Sequence, residues 1–349
     1  MNIGVVGCGY WGPNLVRAFV ETNRCDRIMC FDKSRQALAK LACRFPSVTP
    51  FDSMDELMEA SDALVIATPV STHYHIAKKA LLAGKSVMVE KPLAMRSSES
   101  KELGEIAAAK GLTLMVGHTF VYSPPVRKVR EYIKSGHMGR LYFLSSSRVN
   151  LGIHQKDVDV LWDLGPHDLS ILLYWLEERP CRVSAVGRAC VGPMHDVASI
   201  HYRFPSGFLA NIEISWLAPR KLRRTVLVGS KSMVVYDDTN FDEKVKLYDK
   251  GVHLKDPETF GEYQLTYRTG EVICPKVDTT EPLLIEANHF LDCLEKGIAP
   301  ETGADMGHAV VQALEAASES MHNNGKFVDI PEADDDQAQT PPAAVGISA

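Results

Sequence analysis

The apolar run Ile3 to Gly7 leads straight into Gly7-Cys8-Gly9-Tyr10-Trp11-Gly12, and a helical stretch from Asn14 to Thr22 follows. A strand, a GxGxxG turn and a helix in that order demand a parallel βαβ unit. The first glycine permits the tight turn, the second lets backbone approach a pyrophosphate, and the third allows helix to pack on strand. Arg27 to Phe31 reads as the next strand and ends at Asp32, 25 residues after Gly7. An acid there accepts from both adenosine ribose hydroxyls, which favours NAD over NADP. Lys33 and Arg35 keep NADP as second choice, since a cation pairs with a 2′-phosphate. The helix turns its free N–H groups and positive dipole end toward the phosphates. Gly7, Gly9, Tyr10, Trp11, Gly12, Asp32 and Lys33 are therefore the first cofactor-binding candidates. Competing readings are a glycine turn without ligand, or a related fold holding S-adenosylmethionine or a flavin.

Strand and helix go on alternating. Helices are expected over Ser34 to Arg44, His73 to Ala83 (stopped by Gly84) and Ser97 to Lys110 (stopped by Gly111). Strands fall over Asp62 to Ala67, Ser86 to Val89 and Leu112 to Val116. Such alternation implies right-handed crossovers and a doubly wound parallel sheet. After about Leu141 the pattern changes. Val183 to Val191, Ala198 to Phe204, Phe208 to Trp216, Arg223 to Gly229 and Ser232 to Tyr236 read as strands. Pro205-Ser206-Gly207 and Gly229-Ser230-Lys231 are hairpin turns. One helix is inserted near Gly165 to Leu176, and two more, Pro282 to Lys296 and Asp305 to His322, follow. The expected fold class is α/β then α+β: an N-terminal Rossmann domain over 1–122, and a domain with a large, mostly antiparallel sheet over 123–331. The composition of 332–349 predicts a disordered tail.

A chain of 349 residues fits two domains. Its net charge of −6 gives it no basic footprint for nucleic acid. Its apolar runs are too short for a bilayer, and no signal peptide is evident, so no membrane partner and a cytoplasmic location are expected. The eight cysteines carry no CxxC and read as reduced thiols; no metal is expected.

Chemistry gathers where the early strands end. Ala67-Thr68-Pro69 and Thr72-His73 lie at the carboxyl edge of the sheet, where cofactor and substrate meet; Thr72 alternatively caps the helix beginning at His73. Glu90-Lys91-Pro92 follows the strand over Ser86 to Val89, and a lysine there faces the crevice where cofactor and substrate meet.

Together, GCGYWG, ATPVSTHYHIA, VEKPLA, MVGHTF and WDLGPHD resemble the glucose–fructose oxidoreductase / inositol dehydrogenase family (Gfo/Idh/MocA), over roughly Met1 to Val328. The resemblance implies a homodimer or homotetramer built through the C-terminal sheet. It assigns the family's catalytic lysine to Lys91, and its DxGxH aspartate and histidine to Asp163 and His167. Four residues apart on a helix, those two share one face. His167 suits the base that takes an alcohol proton, Lys91 the donor to the developing alkoxide, and Asp163 the orienting group or relay. Alternatively Asp163 caps the helix, and Asp168 reads as structural more than catalytic. His118 is either a pocket or a core residue. His73 and His75 face different ways, while His154 and His195 have no evident partner. Asp157 to Trp162 replaces the glycine cluster of many relatives, so the substrate loop has its own shape.

HTFVYSPPV, SRVNLG and VGSKSMVVYDD look closer to enzymes of nucleotide-linked amino sugars, including those that oxidise the 3-hydroxyl of a UDP-N-acetylglucosamine-type sugar. Arg148, Arg220, Lys221, Arg223 and Arg224 are available for phosphate, with the alternative that they are a solvated hairpin end; Tyr122 and Asn150 are hydroxyl contacts. The leading expectation is an NAD-dependent dehydrogenase of a ring secondary alcohol. An NADPH-dependent 3-keto-sugar reductase and a non-catalytic cofactor-bound sensor are the alternatives.

Overall fold

The structure is a computed structural model and describes residues 1–152, 154, 155, 157–255 and 264–331. The expected tail, 332–349, lies outside the described residues. Six strands form the first sheet: β1 (Asn2–Val6), β2 (Arg27–Phe31), β3 (Val48–Pro50), β4 (Ala63–Ile66), β5 (Ser86–Glu90) and β6 (Leu114–Gly117). Their order is β3-β2-β1-β4-β5-β6, all parallel, so the carboxyl ends line one edge. Helices α1 (Gly12–Glu21), α2 (Arg35–Arg44), α3 (Met54–Ala60), α4 (His73–Leu82) and α5 (Ser97–Lys110) make the crossovers. Burial on both faces explains the unbroken apolar runs of β1 and β4. The short pair β3 and α3 was not foreseen, because three residues and two turns carry little periodicity; α3 is marked only by its cap, Ser53, whose hydroxyl accepts from the Glu56 amide.

The second half contains α6 (Pro124–Lys134), β7 (Leu141–Val149), α7 (Val160–Leu176), β8 (Arg182–Arg188), β9 (Val197–Arg203), β10 (Leu209–Ser215), β11 (Leu222–Gly229), β12 (Met233–Asp237), β13 (Val245–Lys255) and β14 (Gln264–Ile273). With β15 (Val328–Asp329) the strands form one nine-stranded sheet, ordered β14-β13-β12-β11-β7-β10-β9-β8-β15. Every pairing is antiparallel except β7 with β10. Sequence pattern misses β7, β13 and β14, whose polar residues break the apolar alternation. The strand expected to reach Val191 stops at Arg188, because Asp196 draws the amides of Cys190 and Val191 onto its carboxylate.

α7 packs on the inner face of this sheet, where Ala210, Ile212 and Ile214 of β10 are buried. It starts earlier than expected: Asp159, not Asp163, is its cap, accepting from the Trp162 amide. The outer face carries an apolar row in register across six strands: Val272, Tyr248, Met233, Val228, Phe143 and Leu209. Val272, Phe143 and Leu209 are exposed. Among the described residues no helix is long and apolar enough to cross a membrane.

The chain then returns to the first layer. α8 (Pro282–Lys296) packs on α1, and α9 (Ala304–His322) on α5. Phe19 of α1 meets Phe290 of α8 edge-on at 6.3 Å, and Arg24 pairs with Asp292 and Glu295. Phe290 is fully buried at this junction. Phe290→Ala is expected to lower unfolding free energy by about 3–5 kcal/mol in urea titration, the range for a buried aromatic cavity; a loss within experimental error contradicts this packing.

Candidate active site

A cavity of about 2350 Å³ runs along the carboxyl ends of the first sheet and extends to β10, β11 and α7. A drug-sized ligand needs roughly 300–1,000 Å³, so the space admits a dinucleotide and a second molecule together. At one end the glycine turn has the shape its motif implies. A Cβ on Gly7 would stand 2.5 Å from the Ala67 carbonyl oxygen, and one on Gly12 1.9 Å from that of Gly7. A Cβ on Gly9 would meet nothing, so backbone is open to the cavity there. These residues fit a bound dinucleotide.

Asp32 lines the cavity and also braces the turn: its carboxylate accepts from the Cys8 amide at 2.6 Å and the Ser34 amide at 2.7 Å. Lys33, Tyr10, Thr68, Pro69 and Thr72 also line it. Thr72 does not cap α4 through its side chain; its hydroxyl lies 2.7 Å from both the Thr68 hydroxyl and the Pro69 carbonyl. His73 is a strut rather than a free contact. Its ring nitrogens lie 2.9 Å from the Pro92 carbonyl and 2.8 Å from that of Thr68, and burial lowers its pKa. Trp11 reaches across to β5, donating from Nε1 to Glu90 Oε1 at 2.6 Å. The Lys91–Pro92 peptide is cis.

Beyond Glu90, three elements converge. Lys91 Nζ donates to the Asp163 carbonyl at 2.7 Å and lies 3.3 Å from Asp163 Oδ1. Asp163 Oδ2 accepts from Trp216 Nε1 at 3.1 Å, at the end of β10. His167, one turn further along α7, lines the same cavity with its ring edge-on to Phe120 at 5.0 Å. Burial first, then the charges of Lys91, Arg148 and Arg223, holds His167 well below the usual imidazole range. It is a neutral ring at physiological pH. Asp163 and His167 thus share one face as their spacing suggested, and Lys91 meets them as the resemblance implied, with Asn150 in the same wall.

Four expected substrate contacts do not reach the cavity. Tyr122 is fully buried, its hydroxyl 2.9 Å from that of Thr302. His118 is buried with neither ring nitrogen partnered, and desolvation, then Lys91, pushes its pKa to about 3. Arg148 lies behind Phe120, with its Nε donating to Asp168 at 2.5 Å and its guanidinium 4.5 Å from the Phe120 ring. Asp168 is therefore structural. Arg220 is exposed at the β10–β11 connection; Arg223 lines the cavity instead, its Nη1 3.0 Å from Asp238. Strand alternation decides this: Arg223 faces the cavity, and Arg224 falls on the exposed face. His154 and His195 do have acidic neighbours, Asp196 at 3.8 Å and Asp159 at 3.4 Å.

Sequence reasoning missed Trp216 and Glu286. The first ends an expected strand with an aromatic ring, a usable signal; the second lies on an amphipathic helix with nothing to distinguish it. Glu286 is wholly buried, its Oε2 accepting from the Thr119 hydroxyl at 2.9 Å.

The profile described as an oxidoreductase family with an NAD-binding Rossmann fold matches residues 1–118, and the GFO/IDH/MocA C-terminal domain matches 126–235. The chain belongs to the Gfo/Idh/MocA family. Its cofactor is NAD, and it is an oxidoreductase. Among relatives of this Gfo/Idh/MocA protein, UDP-N-acetylglucosamine 3-dehydrogenase of Acidithiobacillus ferrooxidans is 29% identical over 225 residues, 64% of this chain and 70% of the relative. The scyllo-inositol 2-dehydrogenase (NAD(+)) of Bacillus subtilis is 24% identical over 318 residues, 86% of this chain and 88% of the relative. The solved UDP-N-acetylglucosamine 3-dehydrogenase from Acidithiobacillus ferrooxidans superposes with a TM-score of 0.77 at 24% identity, covering 93% of this chain and 98% of that one. That superposition speaks for the fold.

Burial, then the charge of Glu90, raises Glu286 well above the usual carboxylate range. The unfolded chain releases this proton near pH 4.3, so the folded state is progressively disfavoured as pH rises above about 4.3. Glu286→Gln, which keeps an acceptor for Thr119, is expected to be nearly neutral at pH 4 and more stable than the parent at pH 8 in urea unfolding. Equal differences at both pH values contradict the assignment.

Proposed function

We propose that this protein oxidises a ring secondary alcohol of an amino sugar, carried as a UDP-linked sugar and attacked at the 3-hydroxyl. The observation that carries this reading is the meeting of Lys91, Asp163 and His167 in one cavity with the glycine turn. Bound NAD would supply the hydride acceptor. Removing hydride from a carbinol carbon requires a base for its O–H proton, and neutral His167 is in the form able to accept one. Lys91 donates to the same oxygen and stabilises the charge that develops on it. Asp163, held by Trp216, fixes the Lys91 ammonium through carbonyl and carboxylate together. The name of the relative from Acidithiobacillus ferrooxidans supports the choice of sugar and carbon. Arg223 and Lys244 in the cavity wall offer cations for a diphosphate. The Asp32 carboxylate, placed in the glycine turn, disfavours a 2′-phosphate and supports NAD over NADP. Eight free thiols fit a reducing compartment such as the cytoplasm.

With UDP-N-acetylglucosamine and NAD as substrates, Lys91→Ala is expected to lower kcat by about 10²–10³ while NAD affinity stays within twofold. Full turnover in the variant overturns this reading, and a protein indifferent to sugar that still binds NAD is a sensor.

The apolar row on the outer sheet face supports a second copy of the chain as its cover. Sedimentation is expected to show a dimer or tetramer, and Phe143→Lys is expected to shift it toward monomer. A monomeric parent protein at micromolar concentration contradicts the assembly.

A further inference from the structure

Two carboxyl groups that the proposed chemistry leaves unused lie beside its cofactor end. Glu90 closes β5, and its side chain forms part of the cavity wall between the glycine turn and Lys91. Its Oε1 accepts from Trp11 at 2.6 Å, and its Oε2 accepts from the Lys91 amide at 3.2 Å. Gly117 on the neighbouring strand leaves room for it: a Cβ there would stand 3.0 Å from Glu90 Oε1. Glu286 arrives from α8, wholly buried, with Oε2 on the Thr119 hydroxyl and Oε1 without a partner. Thr119 itself lines the cavity. Glu90 thus has a donor on each oxygen, whereas Glu286 has one donor and one buried oxygen with none.

Buried carboxylates close enough to repel hold a proton between them. Here burial pushes Glu90 up to about 7 against the opposing pull of Lys91, and Glu286 rises well above its usual range through burial and then the charge of Glu90. Lys91 is the cation that bears on Glu90; Tyr122 lies near enough to feel Glu286, and Trp11 and Thr119 reach the pair as neutral donors.

We propose that Glu90 and Glu286 act as one acid pair that takes up a proton from solvent when the bound nicotinamide is reduced, so that the charge of this pocket follows the charge of the cofactor. The oxidised ring is a cation and holds the proton off a nearby carboxylate; the reduced ring is neutral and does not. Hydride transfer lowers the ring's charge by one, and the solvent proton raises the pair's charge by one. The alcohol's own O–H proton goes to His167 and is separate. The inference rests on the reading above, in which NAD takes hydride from the carbon whose oxygen Lys91 holds, so that the ring would face the stretch of cavity wall that Glu90 and Lys91 form.

The test is the dissociation constants of NAD⁺ and NADH on the whole protein between pH 6 and 9. The ratio Kd(NADH)/Kd(NAD⁺) is expected to rise about fivefold or more with pH in the parent protein. It is expected to be flat in Glu90→Gln, while Glu286→Gln, which imitates the protonated partner, keeps the step. A measurement on the unaltered protein stands if a variant misfolds: calorimetry in two buffers of different ionisation enthalpy should show more proton uptake with NADH than with NAD⁺ at pH 7. A pH-independent ratio with equal proton uptake overturns the pair while leaving the dehydrogenase reading intact. Binding of neither nucleotide overturns both.

Discussion

The ammonium of Lys91 crosses the cleft between the two sheets. It leaves the carboxyl end of β5 and ends on the backbone and side chain of Asp163 in α7, which packs on the second sheet. Lys91 and Asp163 are both largely withdrawn from water, with side chains 18% and 22% exposed. A charge in that position requires a partner, because an isolated buried ion carries a penalty of several kcal/mol. The contact therefore brings α7 to β5 and places His167, four residues on, in the cavity. Trp216 extends the chain of contacts to β10. The fold supplies the stiffness: α8 and α9 return to the first layer and pack on α1 and α5, so the cleft does not depend on a single hinge.

Burial divides the charges of this region. His167 and His118 lose their charged forms because desolvation and the neighbouring Lys91 both act against a second cation. Glu286 loses its charge by the same two causes with the sign reversed, burial first and then the negative charge of Glu90. Arg148 keeps its charge beside Asp168, and Arg223 forms an ion pair with Asp238. The cavity is left with a neutral imidazole, a lysine held in place, and arginines behind and beside Phe120. The proposed alcohol oxidation draws on that arrangement, since it needs an acceptor for a hydroxyl proton.

The legible part of the site consisted of residues whose roles are set by backbone geometry. Gly7 and Gly12 sit where a Cβ would strike backbone, and no other residue type fits there. Asp163 and His167 share a helix, so their spacing translates directly into a shared face. The illegible part lay where layer depth decides. Tyr122 follows His118 after β6, in a segment where Phe120 and Thr119 reach the cavity while Tyr122 turns into the core. Arg148 and Arg223 pair across β7 and β11, yet one lies behind Phe120 and the other lines the cavity. Nothing in a one-dimensional pattern separates them.

Sequence alone determined the parallel first sheet, the glycine turn, the acid after β2, the lysine after β5 and the helical pair on α7. Each is a local feature, governed by backbone dihedrals or by a periodicity of two or 3.6 residues. Tertiary structure decided which arginine meets the cavity, that β7 pairs parallel to β10, that Trp216 holds Asp163, and that Glu286 comes to lie near Glu90 from almost 200 residues away. Those relations join distant segments, and they exist only once packing fixes which side chains lose water and which charges must share the space.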